Sequence, residues 1–153
     1  MKARIDFRNA VPDAFKAMRE LEAAVRRSGL EHSLLELVKV RVSQINGCGY
    51  CLDMHIKEAR AAGETEQRLY LLSAWREAPF YSLRERAALS WAEAVTLVSG
   101  NDLSDELYAE VREQFDEKAT VELTLAIIAI NGWNRLVKAC RTEVGSYKPA
   151  AVA

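Results

Sequence analysis

Between its glycines and prolines the chain repeats apolar side chains at the three- and four-residue spacing of helices, not the alternation of strands. Ala, Leu, Glu and Arg, all strong helix formers, dominate. The expected fold is therefore all-α. A first helix over about 12–28 opens with Pro12, whose fixed φ suits a first helical turn. It carries Phe15, Met18, Leu21, Ala24 and Val25 on one stripe and stops at Gly29. A second helix, about 34–46, begins in Ser33-Leu34-Leu35-Glu36, the spacing of a capping box, and ends at Asn46-Gly47, residues that tolerate a left-handed C-terminus. A third lies over about 50–62 and ends at Gly63, and a fourth over about 66–76 is broken by Ala78-Pro79-Phe80. Ser82-Leu83-Arg84-Glu85 repeats the capping-box spacing and opens a helix to about 98, closed by Gly100-Asn101. Helices over about 105–115 and 121–140 complete the set. The last is apolar almost all round between Leu123 and Ile130, which suits either a central helix or a subunit interface.

A faint internal echo runs through this pattern. Glu36-Leu37 with Ile45-Asn46-Gly47 recurs as Glu122-Leu123 with Ile130-Asn131-Gly132, which suggests two similar helical hairpins. The two copies lead into different residues: Cys48-Gly49-Tyr50-Cys51 after the first, Trp133-Asn134-Arg135-Leu136 after the second. Only the first can do thiol chemistry.

Composition narrows the class. The 153 residues are 50% hydrophobic with 7 Gly and 3 Pro, the make-up of an ordered globule, and a single domain over 1–153 is expected. The 21 Lys and Arg against 22 Asp and Glu leave a net charge of −1, with both signs interspersed, which argues against a nucleic-acid binder. The N-terminus MKARIDFRNAVPDAFK has no continuous apolar stretch of the kind a secretory signal needs, so a cytoplasmic location is expected. The longest apolar run, 125–130, is far short of a membrane span, and no membrane partner is expected. Three cysteines, two of them three apart, are not the pattern of a secreted disulfide scaffold.

The chemistry-bearing residues are Cys48, Cys51 and His55. At about 100° per residue their spacings of three and four put them within an arc of roughly 60° on one helix face. The pair comes directly after the Asn46-Gly47 break, so it lies near a helix N-terminus, where unpaired N–H groups and the macrodipole favour a thiolate. His55, one turn beyond Cys51, can exchange a proton with it. An activated cysteine with a second in disulfide reach is what a dithiol redox centre requires. Two other readings stay open: a zinc site completed by Cys140, His32 or Glu36, and buried, inert cysteines. Haem attachment would need His directly after the second cysteine, where Leu52 stands, and no βαβ pattern surrounds the motif as in a thioredoxin.

Glu36, one helix and a turn before Cys48, reads equally as the third residue of a capping box or as a proton acceptor beside the cysteines. Tyr50 reads as a core aromatic or as a hydroxyl pointing into the site. Ser43 and Asn46 are expected to cap or terminate their helix, His32 to sit on the surface, and Cys140 to serve packing.

The run ELVKVRVSQINGCGYCLDMH at 36–55 resembles the AhpD-like alkylhydroperoxidase core of the carboxymuconolactone decarboxylase family. RERAALSWAEA at 84–94 and INGWNR at 130–135 are also similar to its members. The resemblance implies an all-α, AhpD-like helical bundle in which the C-x-x-C motif starts the helix after a helical hairpin turn. It further implies trimers or hexamers, and a peroxidase or disulfide reductase with no bound metal or organic cofactor. In that scheme Cys51 reacts with the hydroperoxide, Cys48 closes the disulfide, and Glu36 and His55 form the proton relay. Some relatives carry a second histidine where this chain has Tyr50. The decarboxylase branch lacks the paired cysteines, and relatives that have them accept electrons through dihydrolipoyl groups or recycle a peroxiredoxin. A non-catalytic oligomer with a zinc-binding or redox-sensing Cys/His cluster, and a decarboxylase using Glu36 and His55 as acid and base, are the competing expectations.

Overall fold

The structure, a computed structural model, describes residues 2–149. Among these there is no strand, and eight α-helices succeed one another: α1 (Phe7–Ala10), α2 (Pro12–Arg26), α3 (His32–Asn46), α4 (Gly49–Ala61), α5 (Glu66–Leu71), α6 (Leu83–Thr96), α7 (Asp105–Gln114) and α8 (Glu117–Cys140). The all-α reading holds, with shifted boundaries. The segment after Leu71 tightens into a 3-10 turn at Leu72–Ala74 instead of continuing to 76. Helix α8 starts four residues before 121 because Asp116 caps it, its carboxylate accepting from the Ala119 N–H at 2.7 Å. Helix α1 has no counterpart in the apolar pattern, since it is a single turn held by the Asp6 cap.

Helix α3 is the centre of the bundle and packs against α4, α6 and α8. Leu34, Leu35, Leu37, Val38, Val40 and Val42 are all buried, so its apolar surface runs around the whole cylinder and fills two core clusters at once. Helix α8 lies beside it with one buried face, including Leu123, Ile127, Ile130 and Val137. The run 125–130 is thus only partly buried, because Leu125 and Ile128 point outward with Val121. The Ser82–Glu85 capping box forms as expected: the Glu85 N–H donates to Ser82 Oγ at 3.2 Å and the Ser82 N–H to Glu85 Oε2 at 2.8 Å.

Three sequence expectations are corrected. No capping box forms at Ser33, because α3 begins at His32 with Glu31 as its uncapped boundary, which places Glu36 in the second turn with its side chain buried. Asn46 is the last residue of α3, as expected of a terminating residue, but neither its side chain nor that of Ser43 caps the helix. Asn134, fully buried on α8, donates to Ser43 Oγ at 3.0 Å and accepts from Asn46 Nδ2 at 2.9 Å, while Asn46 also reaches Asn131 at 2.9 Å. A buried amide left unpaired costs about 1–3 kcal/mol, so this seam fixes the end of α3 against α8. Nor does the echo produce a second hairpin: Asn131-Gly132 lies inside α8, which runs on to Cys140. Gly132 serves close packing there, since an added Cβ would stand 3.1 Å from Met18 Cε on α2.

No helix among the described residues is long and apolar enough to cross a membrane.

Candidate active site

The turn between α3 and α4 is two residues long. Gly47 adopts the left-handed conformation at φ 61°, where a side chain would be strained, and the Cys48 N–H returns to the Ser43 carbonyl at 3.0 Å. Lys138 of α8 donates to the Asn46 carbonyl at 2.6 Å, satisfying another open acceptor at the end of α3. The chain then reverses and Cys48 becomes the N-terminal boundary of α4, with Cys51 in its first turn. Their Cα atoms are 5.4 Å apart and the two sulfurs form a disulfide. Both cysteines are almost completely buried.

Cys51 and His55 lie on the wall of a cavity of about 580 Å³. Its remaining wall is built by α2, α8, α1 and the segment after α8, through side chains such as Phe15, Trp133, Phe7 and Tyr147. Cys48 is not among the lining residues, so the two sulfurs differ in access. Tyr50 packs against the core, the first of its two expected roles, and also lines the cavity. Tyr147 closes one side: its hydroxyl donates to Glu58 and its carbonyl accepts from Lys57 Nζ at 3.1 Å. Burial, reinforced by the bond to Glu58, pushes its phenol up to about 12, so the side chain stays neutral.

Behind His55 stands Glu36. The His55 Nδ1 and Glu36 Oε2 are 2.8 Å apart in a setting where His55 is 3% and Glu36 1% exposed. With Nδ1 donating to the carboxylate, Nε2 is the ring nitrogen free to exchange a proton. Burial alone would raise the Glu36 carboxyl. The hydrogen bond and charge of His55, then Lys39 and His32, outweigh it and hold Glu36 below the usual carboxylate range.

Lys39, buried, and Glu22, partly buried, complete a charge row that sequence reasoning missed. Lys39, 1% exposed, lies 2.6 Å from Glu22 Oε1 on α2 and 3.6 Å from Glu36 Oε1. That second oxygen of Glu36 accepts no hydrogen bond and is held only by nearby positive charge. The signal was present: a lysine three residues after a glutamate, in the middle of a Leu/Val helix, has no solvent face to occupy. His32, half-exposed, stands 3.9 Å from the same oxygen, at the outer end of the row. Cys140 ends α8, buried and unbonded, in keeping with packing. Among the described residues no three His, Cys, Asp or Glu side chains gather as a metal site would require.

The all-α bundle with paired cysteines at the head of α4 matches an AhpD-like core. The chain belongs to the carboxymuconolactone decarboxylase family, whose model matches residues 12–94. It is 46% identical over 136 residues to the uncharacterized protein YdfG of Bacillus subtilis (strain 168), spanning 89% of this chain and 92% of that one. A solved structure from Agrobacterium tumefaciens, a protein of unknown function provisionally described as the antioxidant defence protein AhpD, superposes with a TM-score of 0.91 at 44% identity, covering 95% of this chain and 100% of that chain. The fold alone is shared with an uncharacterized peroxidase-related protein from Ralstonia eutropha JMP134, an alkylhydroperoxidase AhpD core, at a TM-score of 0.79 and 20% identity, covering 91% and 74% of the two chains.

Proposed function

We propose that this protein is a thiol peroxidase and disulfide oxidoreductase that turns over at Cys48 and Cys51. The observation that carries the reading is that Cys51, bonded to Cys48, faces the cavity beside a histidine whose other ring nitrogen is held by a buried carboxylate.

In the reduced protein Cys51 gives up its proton to His55, and the thiolate attacks the distal oxygen of a hydroperoxide. The O–O bond breaks, Cys51 becomes a sulfenic acid, and the departing alkoxide takes the proton from His55 and leaves as an alcohol. Cys48 then attacks the Cys51 sulfur. The S–S bond forms, and the hydroxide leaves with the Cys48 proton as water. Glu36 stays ionised throughout and stabilises the imidazolium that forms between the two proton transfers. A dithiol donor restores the enzyme by attacking Cys51, the sulfur that the cavity reaches, and expelling Cys48 as a thiolate. The first turn of α4 stabilises that leaving group, and the donor's two thiols end as its own disulfide. A dihydrolipoyl group fits this donor chemistry, whereas a peroxiredoxin would stand on the other side of the exchange, as the oxidised partner whose disulfide the reduced Cys48 and Cys51 reopen. No step in this scheme requires a metal.

The test is a titration. Chain reduced with a dithiol and freed of it should lose two thiols per equivalent of cumene hydroperoxide, keep Cys140 free, and release one equivalent of cumyl alcohol. Thiols that persist in excess hydroperoxide would sink the proposal.

The same reading includes a homo-oligomer, a trimer or hexamer. Val121, Leu125 and Ile128 form an exposed apolar stripe along α8 at spacings of four and three, and Leu97 and Val98 at the end of α6 are exposed as well. Light scattering should give three or six times the 17.2 kDa chain mass, and Ile128→Glu should lower it. A wild-type monomer at micromolar concentration would remove this part.

A further inference from the structure

The cavity beside Cys51 has an apolar body and a basic rim. Its aromatic and aliphatic walls include Phe15, Trp133, Met54 and Ile130, whereas Arg8, Arg19 and Arg26 all line it and extend to the surface. The single acidic side chain on the wall is Glu22, which is already engaged by Lys39 at 2.6 Å and approached by Arg26 at 3.5 Å. Arg8 and Arg19 have no carboxylate within ion-pair distance among the described residues. Arg8 is instead held over the rings of Phe7 and Phe15, with centroid distances of 6.0 and 5.9 Å, which keeps its guanidinium at the rim. A chain of nearly zero net charge thus concentrates three guanidiniums around one hydrophobic opening.

Guanidinium groups pair with carboxylates through short, directional hydrogen bonds, and a rim of them next to an apolar chamber selects molecules that are anionic at one end and hydrophobic at the other. Hydrogen peroxide or a small neutral hydroperoxide uses neither feature.

We infer that the substrate of this site is an amphipathic organic hydroperoxide: an apolar chain that fills the cavity toward Cys51, with a carboxylate held by Arg8, Arg19 and Arg26. The inference rests on the peroxidase reading for the reaction, but binding of the anionic amphiphile stands apart from it. The acid end also explains why three arginines are spent on a cavity whose chemistry needs only sulfur and a proton carrier. Its grip weakens with salt, because the rim is solvent-exposed.

Two measurements on the wild-type chain test this. Oxidised protein, whose paired sulfurs cannot react, is titrated by calorimetry with the hydroxy acid derived from linoleic acid hydroperoxide and, separately, with its methyl ester, both below their micelle concentrations. Reduced protein is assayed with linoleic acid hydroperoxide and its methyl ester under a dithiol donor. The acid is expected to bind at least about tenfold more tightly than the ester, with kcat/KM favouring the acid by a similar factor, mostly through KM. In Arg19→Gln this preference should shrink toward unity, while Lys118→Gln, which removes an equal charge outside the cavity, should retain it. Equal binding of acid and ester by the wild-type chain, or a preference unchanged by Arg19→Gln, overturns the inference. If oxidised protein prefers the acid while reduced protein consumes neither hydroperoxide, the peroxidase reading has failed and the binding site stands.

Discussion

Cys51→Ser is expected to lower kcat/KM for an organic hydroperoxide by at least about a thousandfold, because a serine hydroxyl does not ionise where a thiol does and cannot accept the oxygen as a sulfenic acid. Cys48→Ser should fail differently. Its Cys51 still reacts once, so a stoichiometric burst of alcohol appears, and Cys51 accumulates as a sulfenic acid that dimedone traps and mass spectrometry locates. The contrast comes from access: Cys51 lines the cavity and Cys48 does not. Should Cys48→Ser lose the burst and Cys51→Ser keep it, the two sulfurs would have to exchange roles. Cys140→Ser, which changes a buried thiol outside the disulfide, should leave turnover within about twofold of wild type.

The second large effect concerns Lys39. Lys39→Met keeps the volume but leaves Glu22 and Glu36 without the cation between them, and stranding buried charge in this way costs about 3–5 kcal/mol. For a chain of this size that is a fall in Tm of about 10 °C or more at neutral pH. Its dependence on pH has a definite sign. In the wild-type chain burial would raise both carboxyls, but this is more than offset, at Glu22 chiefly by Lys39 and at Glu36 by His55 and then Lys39, so both are held below the usual carboxylate range. Groups depressed on folding stabilise the native state above their unfolded pKa and lose that contribution as the pH falls through the folded one, so the wild type should weaken in acid. Without Lys39 the buried Glu36 and the partly buried Glu22 move upward and accept protons more readily. The gap between variant and wild type should therefore be widest near pH 7, begin to close as the variant's raised carboxyls take up protons, and go on closing as the pH falls through the depressed ones of the wild type. Thermal unfolding monitored by circular dichroism at a series of pH values measures this, and a gap independent of pH would show that Lys39 contributes packing and not charge. Glu36→Gln provides the functional counterpart: hydroperoxide turnover should fall by about a hundredfold as the imidazole loses its anionic partner.

Much of this architecture is legible in the residues. Helical periodicity fixes the fold class, Gly47 fixes the turn before Cys48, and the three- and four-residue spacings put Cys48, Cys51 and His55 on one face. Glu36 shows where such reading divides. Ser33 and Glu36 have the spacing of a cap, and only the burial of Leu34 and Leu35, which draws the start of the helix back to His32, decides that the carboxylate turns inward to His55. Tertiary contacts of this kind are not encoded in local spacing. The pairing of Lys39 with Glu22 and the seam of Ser43, Asn46, Asn131 and Asn134 join helices far apart in the chain, so the sequence names the residues without naming their partners. Arg8, Arg19 and Arg26 look like ordinary surface charge until α1 and α2 are laid across the head of α4.

Helix α2 forms the outer wall of the chamber, and among its residues only Val25 is buried. It rests chiefly on α1 and α8, whereas α3 is gripped from three sides. Beyond Val25, what ties it to α3 is the Glu22–Lys39 ion pair at 2.6 Å, so this flank is held by charge where the core is held by apolar contact. Protonating Glu22 therefore loosens the outer wall of the chamber and leaves the apolar contacts around the sulfur pair untouched.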